Sequence, residues 1–228
     1  MQSIKKHTLE GIDFSRIALF HGMSPEETKS ALNALDCYIR EYEKGSVILR
    51  AGETTDSIGI VLEGSVTIEN IDVWGNRTIL NMIEKNGFFA ETYAILRDQT
   101  LLINACANER CRIMFIRVFG RSDIEPGSWH SRFLFNLMTI TARKNYGLSA
   151  RSLNTAPKTV RGRVMTYLNF MSIKNGKMEF EIHFDRQQMA DYLNVERTAL
   201  SKELSKMKKE GIINYRKNYF VLKNRSTE

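Results

Sequence analysis

At 228 residues with 43% hydrophobic side chains, the chain has material for two modest cores and reads as a soluble globular protein. Its net charge of +7 is unevenly placed: residues 151–228 hold 16 of the 33 Lys and Arg but only 8 of the 26 Asp and Glu. The C-terminal third is therefore strongly basic and the remainder near neutral, which points to a polyanionic partner. No apolar run reaches the length of a membrane span, and the start MQSIKKHTLEG has no signal-peptide core, so a cytoplasmic protein without a membrane partner is expected.

Residues 18–40 read as short helices, with Ser24 as an N-cap, Pro25 at the first helical position and Glu26 and Glu27 in the first turn. From Tyr42 the period changes. SVILRAG, SIGIVLEGSVTIENI, RTILNMI and CRIMFIRVF are short and β-branched, and Gly45, Gly52, Gly64, Trp74-Gly75-Asn76 and Asn86-Gly87 punctuate them. Many short strands with tight turns imply a β-barrel or roll. Cys37, Cys106 and Cys111 form no CxxC pair and leave an odd thiol, which fits a reduced compartment. Cys106 and Cys111 lie in the apolar run INACANERCRIMFI and read as buried structural thiols in preference to a redox pair or metal ligands.

SRFLFNLMTITARKNYGLSARSLNTA then runs without proline, enough for a helix of about 38 Å. Its first half is apolar nearly all round, and Phe133, Leu137, Ile140 and Lys144 have coiled-coil-like spacing. One face is expected to meet the roll and another a second copy of the chain. Ala156-Pro157 ends the helix, with a hinge expected over Asn154–Lys158, and Val160–Phe170 reads as a further amphipathic helix.

Asp185–Ile213 carries the clearest motif. Met189 and Leu193 mark one face of a first helix, and Leu200, Leu204 and Met207 mark one face of a second, with Asn194-Val195 between them. Asp185 and Gln188 have the spacing of a capping box, and Ala190 is small enough for a close helix crossing. Arg197, Thr198, Ser201, Lys202 and Lys206 fall on the opposite face of the second helix, where donor-rich side chains can reach base edges and phosphates. A hairpin follows, with Ile212, Ile213 and Tyr215 on one side of Arg216-Lys217-Asn218 and Tyr219, Phe220, Val221 and Leu222 on the other. This is a winged helix-turn-helix pattern, and Arg186 and Lys217 complete the expected DNA-contacting set. The expected fold class is α+β: a β-roll domain over 1–127, a dimerisation helix and hinge over 128–156, and a winged helix-turn-helix over 157–228.

Over about residues 17–224 the order of motifs resembles the cyclic-AMP receptor and fumarate-nitrate regulator (CRP/FNR) superfamily. The resemblance rests on LFHGMSPEE, YEKGSVILRAGETTDSIGIVLEGSV, GFFAETYAI and RQQMADYLNVERTALSKEL, in that order. It implies a cyclic-nucleotide-binding-like jelly roll and a homodimeric bacterial transcription regulator on a palindromic operator, with RNA polymerase as a further partner if it activates. No residue identifies a polymerase-contacting surface. Family positions that contact bases match Arg197, Thr198, Ser201 and Lys202. Thr198 departs from a glutamate common there, and Glu196 from the usual serine-like cap.

For the sensor, the resemblance implies an effector pocket around Glu91, Thr92, Leu101, Leu102, Lys144, Leu148 and Ser149. Glu91 matches the ribose-binding glutamate, but Leu101 and Leu102 stand where a cyclic phosphate would meet an arginine and a hydroxyl, and Ala90 replaces a glycine. A buried phosphate without its cation is heavily penalised, which argues against cyclic AMP. The two leucines either line an apolar pocket or fill it, and the small effector or redox signal is left unidentified. No cysteine cluster of the iron–sulfur type precedes Cys37, and His7, His21, His130 and His183 are too scattered to suggest haem axial ligands. No metal site is expected. Glu91, Asp98 and His130 have no nucleophile–base spacing, so no catalytic residue is expected either. A regulatory module acting on a protein partner is the alternative reading.

Overall fold

The computed structural model describes residues 11–118 and 127–223; the polar start of the chain, His7 included, lies outside them. The chain divides into two compact units, Met1–Ala142 and Arg143–Glu228.

In the first unit, two single-turn 3-10 helices, Phe14–Arg16 and Ala18–Phe20, precede α1 (Pro25–Ala34). The capping of α1 is reciprocal: Ser24 Oγ accepts the Glu27 amide at 3.1 Å and the Glu27 carboxylate accepts the Ser24 amide at 2.9 Å. The strands are β1 (Asp36–Tyr42), β2 (Val47–Leu49), β3 (Ser57–Glu63), β4 (Val66–Ile71), β5 (Arg77–Ile83), β6 (Phe88–Phe89), β7 (Asn104–Ala107) and β8 (Cys111–Arg117). A short helix, α2 (Glu91–Leu96), interrupts them where no helix was expected from sequence.

These strands form two four-stranded antiparallel sheets, ordered β1-β8-β3-β6 and β2-β7-β4-β5. Ile48, Val61, Val66, Ile83, Phe89, Ile113 and Phe115 make one core cluster. Ile58, Ile60, Met114 and Ile116 point the other way and are covered by Leu19, Phe20, Trp129 and Phe133. Strand β3 is thus buried on both faces, which is why IGIVL is an unbroken apolar run rather than an alternating one. Gly59 is required within it, because a Cβ there would collide with the Phe89 ring. By contrast β5 is an edge strand, and Ile79, Leu80 and Met82 are all exposed.

Helix α3 (Ser128–Thr155) begins slightly before the apolar run suggested. The residues with coiled-coil-like spacing face the roll: Phe133 and Leu137 are buried, with Ile140 packed against the same cluster. The side left open is Leu134, Phe135 and Met138.

The second unit contains the C-terminal part of α3, then α4 (Val160–Asn175), β9 (Glu179–Glu181), α5 (Arg186–Leu193), α6 (Arg197–Lys209), β10 (Ile213–Arg216) and β11 (Tyr219–Leu222). Thr159 caps α4 by accepting the Gly162 amide at 3.0 Å. Strand β9 was not foreseen; it pairs with β11 and makes the hairpin a three-stranded sheet, β10-β11-β9. Val164, Leu168, Met189, Leu193, Leu200, Leu204, Met207, Ile213 and Phe220 form the core.

The segment 154–158 is braced within this unit. Arg151 donates to the Asp191 and Tyr192 carbonyls at 3.2 and 3.3 Å, Asn154 Nδ2 donates to the Tyr192 hydroxyl at 3.1 Å, and Arg163 Nε donates to Pro157 O at 2.8 Å.

Candidate nucleic-acid interface

The helix-turn-helix is assembled by local chemistry at both helix ends. The Asp185 carboxylate accepts the Gln188 amide at 2.8 Å while Gln188 Oε1 accepts the Asp185 amide at 2.9 Å, which is the capping box expected from spacing. Asn194 ends α5 in the left-handed region at φ 53°, a conformation asparagine tolerates better than other side-chain-bearing residues. Arg163 then fixes the turn by donating to the Leu193 and Asn194 carbonyls at 3.2 and 2.6 Å. On the inner side of α6, Leu200, Leu204 and Met207 are fully buried. Arg161 anchors α4 to α6 through Glu203 at 2.6 Å and Glu210 at 2.8 Å.

With that face committed, the outer face of α6 presents Arg197, Thr198, Lys202 and Lys206 exposed and Ser201 half-buried. Arg197, Lys202 and Lys206 form no ion pair among the described residues. Lys206 falls in the last turn, where its charge also favours the helix dipole. Thr198 is engaged, since its hydroxyl donates to the Glu196 carboxylate at 2.8 Å. Glu196 makes no side-chain cap to α6, so the poor cap expected from its identity is what is found.

Arg186 is placed differently from the α6 cations. Its guanidinium lies over the Tyr215 and Phe220 rings at 5.2 and 5.9 Å and donates to Lys217 O at 3.2 Å. Burial lowers its pKa from the usual arginine value. It joins α5 to the wing, and charge type alone could not separate it from the free cations. Lys217, at the hairpin tip, is exposed and sits at φ 54° in a two-residue turn. A cavity of about 450 Å³ opens beside it, lined by His183, Phe184, Asp185, Arg186, Gln188, Lys217 and Asn218. Sequence reasoning missed the bracing residues Arg151, Asn154, Arg161 and Arg163, whose partners are distant in the chain and leave no local signal.

Of the expected sensor residues, Glu91, Thr92, Leu101 and Leu102 belong to the first unit and Lys144, Leu148 and Ser149 to the second. Glu91 is buried at the first position of α2, following Ala90, which is held at φ 64° where the family pattern has glycine. Leu101 is 1% exposed and its backbone bonds to Gly52 and Glu53, whereas Leu102 is 70% exposed. The chain bends at Leu102, before β7 begins, and the two side chains differ in exposure. Leu101 is enclosed by the protein and Leu102 is open to solvent. Thr92 is exposed, as are Lys144, Leu148 and Ser149 on the part of α3 that belongs to the second unit.

A polar cluster takes part instead in the second sheet. Glu69 is 4% exposed, paired with Arg77 at 2.5 Å and approached by Cys106 Sγ at 3.6 Å. Burial and the Glu69 charge push the Cys106 thiol up, and burial pushes Cys37 up to about 12. Cys111 donates to the Ser65 carbonyl at 3.1 Å, and all three cysteines are free thiols. Among the described residues no group of three or more His, Cys, Asp or Glu side chains is placed to hold a metal ion, and no helix is long and apolar enough to cross a membrane.

Residues 39–118 match the cyclic nucleotide-binding domain family and residues 162–227 match the Crp-like helix-turn-helix domain family. The chain is 22% identical over 186 residues to the transcriptional activator protein FnrL of Cereibacter sphaeroides, covering 77% of this chain and 72% of that one. Among solved structures, it is similar to the c-di-GMP responsive global regulator CLP of Xanthomonas campestris, with 17% identity, a TM-score of 0.51, and 88% and 100% of the two chains covered. It is also similar to CprK complexed with OCPA, with 18% identity, a TM-score of 0.55, and 87% and 90% covered. A jelly-roll domain of the cyclic-nucleotide-binding type, a long connecting helix and a Crp-like helix-turn-helix, in that order, make this chain a transcription regulator of the CRP/FNR superfamily.

Proposed function

We propose that the chain works as a cytoplasmic homodimer that reads a palindromic operator with its two α6 helices, and that Arg197, Ser201 and Lys202 supply the base contacts. The observation that carries this reading is the contrast within one unit: Arg161, Arg163 and Arg186 are all bound to protein, while Arg197, Lys202 and Lys206 are left open on one helix face. Lys206 and Lys217 fit phosphate contacts, Thr198 stands within the reading set with its hydroxyl already bonded, and Arg186 positions the wing. Arginine and lysine suit guanine O6 and N7, each good contact contributing about 1–3 kcal/mol of discrimination. The open apolar face of α3 at Leu134, Phe135 and Met138 supports pairing with a second copy. Dimeric readers of this kind place their helices about 34 Å apart, one turn of duplex.

The effector we propose is a small molecule other than cyclic AMP, because Leu101 stands where the phosphate would need a cation. Footprinting on the DNA upstream of its own gene should protect a two-fold symmetric site with steep salt dependence. Arg197→Ala should remove discrimination among sequences while salt-sensitive binding to any duplex persists. Equal weakening on all sequences would reassign Arg197 to the backbone.

A further inference from the structure

Glu196 is the N-cap residue of α6, a position where a side-chain oxygen ordinarily accepts one of the free amides of the first turn. It makes no such bond, and its carboxylate accepts the Thr198 hydroxyl instead. Both residues are exposed, as is Arg197 between them. Glu196 forms no ion pair among the described residues, so an unneutralised carboxylate stands at the leading end of a helix whose outer face otherwise carries Arg197, Lys202 and Lys206. In the free protein the helix dipole and the neighbouring cations favour that charge, and against a duplex it becomes a cost. The N-terminal residues of a recognition helix are the ones that reach base edges, and a carboxylate close to duplex phosphates is repelled.

A compensating contact exists for an acceptor-only group. In the major groove cytosine offers its N4 amino donor without a neighbouring acceptor on the same base, while adenine sets the N7 acceptor beside its N6 donor. A carboxylate matches the first pattern and clashes with part of the second. The Thr198 hydroxyl holds one carboxylate oxygen and leaves the other to receive a hydrogen bond. We propose that Glu196, oriented by Thr198, accepts from the N4 amino group of a cytosine in each half-site and so sets one letter of the operator. This rests on α6 being the reading helix.

The test is selection of full-length wild type, Glu196→Gln and Thr198→Val from a random-sequence duplex library, followed by titration on the selected site with each base at the identified position. Wild type should prefer cytosine at one position per half-site by about tenfold. Glu196→Gln keeps the shape but carries both donor and acceptor, so the preference at that position should move to adenine, which glutamine reads through N6 and N7. Thr198→Val should keep cytosine preferred but reduce the margin severalfold, because the carboxylate is no longer held. Circular dichroism should show all three folded alike, since the cap bond is already missing in wild type. If Glu196→Gln selects the wild-type consensus, or tightens binding equally on every sequence, the carboxylate only repels phosphate and the inference is wrong. An unchanged cytosine margin in Thr198→Val would remove Thr198 from the account. Failure of wild type to select any sequence would instead overturn α6 as the reading helix.

Discussion

The two units use their polar side chains in opposite ways. In the β-roll the buried ones bond to one another: Glu69 is gripped by Arg77 and Cys106, and the Thr67 hydroxyl donates to Asn108 at 2.7 Å. In the second unit some polar side chains brace the fold, as Arg161 and Arg163 do, and a separate set on α6 is left without ionic partners. Open donors on a rigid element point to a ligand, whereas satisfied ones describe only a structure. The contrast explains why the proposed DNA-reading face stands out residue by residue while the effector does not.

The contrast breaks first if the scaffold beneath α6 is loosened. Phe220 is fully buried, stacks on Tyr215 at 5.7 Å and lies under the Arg186 guanidinium. Phe220→Ala should cost the second unit about 3–5 kcal/mol, the usual range for removing a buried aromatic ring. Calorimetry should resolve a transition lowered for residues 143–228, and DNA binding should be lost with it although every cation on α6 remains. Intact binding would mean that the wing does not support the reading face.

A smaller effect tests the roll. Ala90 holds φ 64°, ψ 13° immediately before Glu91, a left-handed conformation that costs a residue with a Cβ about 1–2 kcal/mol. Ala90→Gly should relieve that strain, less the greater chain entropy of glycine, for a net gain of about 1 kcal/mol in the first unit. Chemical denaturation measures it. A loss of stability would show that the methyl group packs against something worth more than the strain.

How far the sequence was legible follows the same divide. Periodicity located α5 and α6 because Met189, Leu193, Leu200, Leu204 and Met207 repeat at helical spacing on one buried face. The Asp185 and Gln188 capping box was visible because its two members are three residues apart. Strand β9 was not visible, because three residues, Glu179–Glu181, carry too little pattern. Arg186 is expected among the DNA contacts from its charge alone, because residue type does not reveal that its guanidinium lies over the Tyr215 ring. Leu101 and Leu102 were assigned together on family position, and only the geometry separates the inward side chain from the outward one.

The finest test uses Lys217, where strain and function meet on one residue. At φ 54° it occupies a turn position that glycine fills at little cost, yet it presents a long cation at the tip of the wing. Backbone strain of this kind is kept where the side chain does something the chain needs. Lys217→Gly should therefore move two observables in opposite directions. Thermal stability should rise by up to about 1 kcal/mol. DNA affinity should fall, and the slope of log affinity against log salt should drop by about 1, the signature of one lost phosphate contact. Lys217→Asn separates the two contributions, because asparagine also tolerates the left-handed region but carries no charge. It should share the lower salt slope and approach the gain in stability. If both variants kept the wild-type slope, the wing tip would not touch the duplex, and the open cations that matter would be confined to α6.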